Sequence, residues 1–211
     1  AALRHMLEGI DRYQGRLSTG IQSTHRLMVE LTRAGNTDLA YRLLCSHEMP
    51  SWLYSLDQGA TTIWERWDGY VAGRGFQDPG MNSLNHWAFG AVGQWMWQNI
   101  AGINPDPEHP GYKHFVIRPR PGGGLSWANA QYDSIRGRIA SQWRLDGGKL
   151  ALDVTIPVNA TASVYIPASD ASAVRENGRP IGQSDGVKLL RTEDGCVVLA
   201  VESGSYRFSS R

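Results

Sequence analysis

The stretch Asn104-Pro105-Asp106-Pro107-Glu108-His109-Pro110 constrains this chain more than any other. Its three prolines in seven residues fix φ and remove amide donors, so neither a helix nor a central strand runs through it. The apolar pattern also changes across it. Before it, apolar residues recur at helical spacing; beyond it, short apolar runs lie between turn signals. The chain therefore reads as two domains, 1–104 and 105–211, with helices in the first and strands in the second. A length of 211 residues is enough to bury a core without disulfide staples.

In the first domain Leu3, Met6, Leu7 and Ile10 share one helix face. A second helix follows Ser18-Thr19-Gly20, with Leu27, Leu31 and Ala34 on one side, and Gly35-Asn36 ends it. Thr37 is placed to cap a third helix through Leu39, Leu43 and Leu44, with Asp38 at the positive end of its dipole. Residues 50–82 show no sustained period and hold five glycines and a proline after Pro50. A stretch this long inside a compact domain is functional or disordered, and its aromatics argue against disorder. Ser83 is the expected cap of a fourth, buried helix carrying Leu84, Trp87, Ala88, Ala91, Val92, Trp95 and Ile100.

In the second domain, strands are expected at 115–117, 128–132, 138–145, 150–156, 162–166, 196–201 and 206–208. Asp146-Gly147-Gly148 and Asn177-Gly178 are hairpin-type turns. The series suggests an antiparallel β-sandwich.

A net charge of +1 without long runs of one sign argues against nucleic acid or an anionic membrane as partner. No window approaches a membrane span. Cys45 and Cys196 fall in different domains and are expected as free, buried thiols without a catalytic partner. No glycine-rich phosphate loop is present, and the histidines show no metal-ligand spacing, so no cofactor and no metal are expected. The opening Ala1-Ala2-Leu3-Arg4 shows neither an initiator Met nor a leader, as expected of a piece of a longer polypeptide. The compartment stays open.

Six of the eight tryptophans lie between Trp52 and Trp97. Within that region, Trp64-Glu65-Arg66-Trp67-Asp68-Gly69 sets an acid between two indoles. Indole faces suit the apolar C–H faces of a sugar ring, and a carboxylate between them can take a proton from water. The competing reading is plain core packing, with Glu65 in a structural ion pair with an arginine of its domain. Asp57, Asp68 and Asp78 read as turn formers, though Asp57 or Asp68 could bond a sugar hydroxyl. His86 either contacts a ligand or bonds the backbone at a helix start, where the dipole favours an uncharged ring.

Several stretches together resemble the bacterial α-L-rhamnosidases of glycoside hydrolase family 78. They are Met49-Pro50-Ser51-Trp52-Leu53-Tyr54, Gln58 through Gly69 with its Thr61-Thr62-Ile63-Trp64-Glu65, and Ser83-Leu84-Asn85-His86-Trp87. Pro110-Gly111-Tyr112, Ile117-Arg118-Pro119, Pro121-Gly122-Gly123-Gly124-Leu125 and Tyr165-Ile166-Pro167-Ala168 continue the likeness, which weakens after about residue 170. The resemblance implies α + β in separate domains: the C-terminal helices of an (α/α)6 barrel at 1–104, then the whole β-sandwich at 105–211.

The resemblance further implies inverting hydrolysis of terminal α-L-rhamnose from rhamnosides, without a metal. Glu65 would be the general base, and His86 would contact the rhamnose. Trp64 and Trp67 would be substrate-binding walls. The general acid would lie in an upstream barrel segment, so the remaining N-terminal part of the barrel is the expected partner. Inverting hydrolysis sets its two carboxyl groups roughly 6.5–9.5 Å apart to admit a water. The alternative is a non-catalytic carbohydrate-binding or structural module. Helices that pack on absent neighbours would leave apolar surface and favour self-association.

Overall fold

The computed structural model describes residues 2–210 and divides into two units, the first up to Trp95 and the second from Met96. This division falls ahead of the proline-rich stretch.

The first unit carries α1 (Ala2–Arg12), α2 (Thr24–Arg33), α3 (Thr37–Leu44), α4 (Trp52–Asp57), the two-residue strands β1 (Tyr70–Val71) and β2 (Gly75–Phe76), a 3₁₀ turn at Ala88–Ala91 and α5 (Val92–Trp95). Ala1 lies outside the described residues. The core of the unit gathers Met28 and Leu31 of α2, Tyr41 and Leu43 of α3, and Trp95. Trp95 meets Tyr41 edge-on at 5.2 Å, and its indole N–H donates to Thr32 Oγ1 at 2.8 Å. That bond satisfies the polar edge that a buried indole must place.

The end of α2 explains the start of α3. Asn36 N–H donates to Leu31 C=O and Gly35 N–H to Thr32 C=O, with Gly35 at φ +80°. This is the Schellman closure of a helix. Ala34, expected on the buried face, is the exposed C-cap instead. Asn36 then serves at once as the N-cap of α3, without a side-chain cap bond, and its Nδ2 donates back to Ala34 C=O. Thr37 is therefore already inside α3 and does not cap it. The helix α4 lies in the stretch that lacks a period; six residues are too few to show one. Buried Ser51 caps it, its Oγ accepting from Tyr54 N–H at 3.0 Å.

The expected fourth helix does not start at Ser83. Residues 83–87 are irregular, and Trp87 is 78% exposed. Ser83 and His86 amides are donated to Glu65 and Ile63 rather than left for a helix.

The second unit opens with a π-helical segment, Met96–Ala101. There follow β3 (Ile103–Pro105), β4 (His114–Ile117), β5 (Trp127–Ser134), β6 (Gly137–Asp146), β7 (Lys149–Ile156), β8 (Thr161–Pro167), β9 (Arg175–Glu176), β10 (Arg179–Pro180), β11 (Val187–Glu193), β12 (Cys196–Val201) and β13 (Gly204–Ser210). One sheet runs β10-β9-β13-β7-β6-β5 and the other β11-β12-β8-β4-β3. The helical unit followed by a sandwich matches the expected fold class. One pair departs from the antiparallel expectation: β4 and β8 run parallel.

Alternation supplies the core. Leu150, Leu152, Val154 and Ile156 of β7 are buried at every second position, the period of a half-buried strand. Three hairpins turn on Gly147-Gly148, Asn177-Gly178 and Asp194-Gly195, each with both central residues at positive φ. Such turns match the right-handed twist of the strands they join.

Gly102 is the tightest point of the second unit. It sits at φ +81°, and a Cβ there would lie 2.2 Å from Pro119 N and 2.4 Å from Arg118 C. Its carbonyl accepts from Arg118 N–H at 2.7 Å, so the Ile117-Arg118-Pro119 strand end is pressed against it. Gly102→Ala is expected to destabilise the chain by about 3 kcal/mol or more, combining positive-φ strain with backbone overlap. A urea titration of the 211-residue chain reads this directly.

Candidate active site

The site is built on two irregular segments of the first unit that lie side by side. Glu65 N–H donates to Ser83 C=O at 2.9 Å, and His86 N–H donates to Ile63 C=O at 2.7 Å. Thr62 Oγ1 donates to Leu84 C=O. A further bond ties the functional group itself: Ser83 N–H donates to Glu65 Oε2 at 2.9 Å. A charged acceptor shortens and strengthens such a bond. The carboxylate is thus aimed by a neutral donor, and Glu65 forms no ion pair among the described residues. Its half-buried side chain lines an open cleft of about 510 Å³.

Trp67 lines the same cleft. Its ring stacks on Phe89 at 3.6 Å and meets Trp52 edge-on at 5.1 Å. Its indole N–H donates to Thr19 C=O at 2.9 Å, and Trp52 donates to Phe89 C=O at 3.0 Å. With its polar edge used and its ring braced, Trp67 is a rigid apolar wall. Met49, Pro50, Ile21 and Met81 extend that wall.

Trp64 and His86 are not among the cleft-lining residues. Trp64 is 7% exposed, so it does not offer the ring face expected of a sugar platform. The reason is local: the chain turns back at Gly69, whose Cβ position would lie 3.5 Å from Trp64 Cε3 and 2.9 Å from Asn82 Oδ1. Asn82 clamps this turn, donating from Nδ2 to Gly69 and Gln77 carbonyls at 2.8 and 2.7 Å. Trp64 is sealed under that clamp. His86 is half-buried, and its Nδ1 accepts from Ala88 N–H at 3.2 Å. That is the backbone bond weighed against a ligand role, and it leaves the ring proton on Nε2.

Two of the three aspartates sit in turns as expected: Asp68 lies in the turn closed by Gly69 N–H on Arg66 C=O at 3.2 Å. Asp78 does form a turn, accepting from Gly80 N–H at 3.1 Å. Asp57 instead pairs with His47 Nδ1 at 2.7 Å. Asp68 is held by Arg66 in a two-pronged contact, Nε to Oδ1 and Nη2 to Oδ2, both at 3.0 Å. Arg66 Nη1 also reaches Asp78 Oδ2 at 3.2 Å. The hydrogen bond from Arg66 holds the Asp68 carboxyl below the usual carboxylate range. Sequence reasoning weighed Asp68 as a partner for a sugar hydroxyl but missed Arg66 as a cleft residue. Its signal was the Glu-Arg-x-Asp order, which places one cation between two acids.

Both cysteines are free and half-buried, rather than fully buried. Burial pushes each thiol up from its ordinary value, consistent with inert side chains. Among the described residues no group of three or more His, Cys, Asp or Glu gathers into a metal site, and no helix is long and apolar enough to cross a membrane.

Because the folded-state carboxyl of Asp68 is lowered, its contribution to stability is complete above the unfolded-state value. It is lost as pH falls through the folded one. Asp68→Asn is therefore expected to lower the urea midpoint at neutral pH, with the difference shrinking as pH falls below the ordinary carboxylate range. Paired urea titrations across pH check the sign.

Comparison with known proteins identifies the relatives of the chain. Residues 1–100 match the model of the bacterial alpha-L-rhamnosidase 6 hairpin glycosidase domain, and residues 102–179 match that of the bacterial alpha-L-rhamnosidase C-terminal domain. An alpha-L-rhamnosidase of Streptomyces avermitilis is 44% identical over 209 residues, 99% of this chain and 19% of that protein. One from Formosa agariphila is 37% identical over 210 residues, all of this chain and 22% of that protein. The crystal structure of the Streptomyces avermitilis alpha-L-rhamnosidase complexed with L-rhamnose superposes with a TM-score of 0.88 at 44% identity, covering 97% of this chain and 19% of that one. The chain spans about a fifth of the length of these relatives. On these matches, which together take in most of its length, the chain belongs to the bacterial α-L-rhamnosidase family.

Proposed function

We propose that this chain supplies the general base of an inverting α-L-rhamnosidase and works as part of a longer polypeptide. The observation that carries this reading is Glu65: a carboxylate open to a cleft, oriented by one backbone amide, and in no ion pair among the described residues. A base must be reachable by water, and a carboxylate that lines an open cleft is. Oε2 is engaged by Ser83, which leaves Oε1 for the nucleophile.

In the proposed reaction a water lies between Glu65 and the anomeric carbon of the rhamnosyl group. Its oxygen forms the new C1–O bond while the bond from C1 to the leaving oxygen breaks. Glu65 takes the water's proton, and an acid from the upstream part of the barrel gives a proton to the leaving oxygen. Attack from the side opposite the leaving group inverts C1. Trp67 supplies an apolar wall for the sugar, and His86 offers its Nε2–H to a sugar hydroxyl. Trp64 supports the cleft from beneath. The substrate is a rhamnose-containing glycoside.

Two outcomes test the reading. In the full-length polypeptide, Glu65→Gln is expected to lower kcat by about a hundred- to ten-thousand-fold with KM little changed. Loss of binding with turnover retained would point to a carbohydrate-binding module instead. The 211-residue chain alone is expected to release no nitrophenol from p-nitrophenyl α-L-rhamnoside, because its proposed partner acid is elsewhere. Robust release by the isolated chain would overturn the division of roles.

A further inference from the structure

Glu65 is followed directly by a cation, and both residues line the cleft. An arginine beside a carboxylate in a solvent-open cleft has every electrostatic reason to pair with it. Here it does not. All three nitrogens of the Arg66 guanidinium are engaged elsewhere: Nε and Nη2 on Asp68 at 3.0 Å each, and Nη1 on Asp78 at 3.2 Å. Asp78 is itself fixed, its other oxygen accepting from Gly80 N–H at 3.1 Å and its backbone at φ +28°. One acceptor is therefore anchored independently, and the guanidinium is held at three points.

The distinction bears on chemistry. A neutral amide orients a carboxylate with little change in its charge balance. A guanidinium at the same oxygens would stabilise the ionised form and weaken it as a base. Of the residues lining the cleft, only Glu65, Arg66 and Asp68 carry an ionising side chain. The other cleft walls, Met49, Pro50, Met81 and Phe89 among them, add no charge. With Asp78 included, the Arg66 cluster carries one net negative charge beside Glu65, opposite in sign to what the bare Glu-Arg dipeptide would present.

We infer that Asp68 and Asp78 are positioning residues: they hold the Arg66 guanidinium away from Glu65, so that Glu65 stays available as a base. This inference rests on the base role proposed above. It differs from a structural ion cluster in what happens when the acids are removed. Either kind of cluster loses stability; only a steering cluster also releases Arg66 onto Glu65.

The test uses the full-length polypeptide with Asp68→Asn/Asp78→Asn, and with isosteric Asp68→Asn alone should the double variant fold poorly. The acid limb of the kcat/KM profile is expected to move to lower pH by about one pH unit, with kcat down severalfold and KM little changed. Adding Arg66→Gln to the same background is expected to return the limb to its parent position, since the freed cation is then gone. An unmoved limb, or a loss that Arg66→Gln does not relieve, overturns the inference and leaves a purely structural cluster. A crystal structure of the full-length polypeptide carrying Asp68→Asn/Asp78→Asn separates this failure from failure of the base role. Arg66 paired with Glu65 there supports the steering even if Glu65→Gln leaves turnover intact, and Arg66 still turned away refutes it.

Discussion

The position of Glu65 depends on a pairing between two segments, 62–65 and 83–86, that belong to no helix or sheet. Each gives backbone hydrogen bonds to the other, and a backbone amide of the second holds the carboxylate of the first. Irregular backbone is costly to fix, because each ordered residue gives up conformational freedom without the cooperative ladder of a sheet. Here the cost is offset by neighbours of unusual rigidity. Asn82 clamps the Gly69 turn from one side, and the Trp52, Trp67 and Phe89 rings brace the other. A catalytic group on a loop needs such a frame to hold its geometry.

The same frame explains why the aromatic cluster does two jobs with similar side chains. Trp64 and Trp67 are three residues apart, yet one is sealed in the core and the other lines the cleft. The split follows from the turn at Gly69, not from ring chemistry. In sequence Glu65 follows a buried indole and precedes, by two residues, one that lines the cleft.

The helices α1, α2 and α3 were legible because they are long enough to show an apolar period, and the closure of α2 was legible in Gly35-Asn36. What hid the cap of α3 was economy: Asn36 ends one helix and begins the next, leaving no separate capping residue. Helix α4 is under two turns, and β9 and β10 are two residues each, so none presents a period at all. β11 is nearly all exposed and lacks alternation. In the site, the resemblance singled out Glu65, and the cleft includes it. The rest of the cleft, Ile21, Met49, Pro50 and Met81, comes from positions scattered along the chain. Only tertiary structure brings them together. The trapping of Arg66 was hidden for a simpler reason: local order shows which charges are near, not which partners they choose.

The parallel pair β4–β8 also sets an order of assembly. His114 and Thr161 are register partners 47 positions apart, bonded again through Nδ1 and Oγ1 at 2.8 Å. Between them the chain builds β5, β6 and β7, all in the opposite sheet and joined by hairpins. Closing so long an interval costs more chain entropy than closing any of those hairpins. The meander therefore closes cheaply, whereas the seam between β4 and β8 is non-local, as is the pairing of β7 with β13, whose partners Leu150 and Ser210 lie still further apart in the chain. Until β4 docks, that edge of β8 stays open to pairing with another strand.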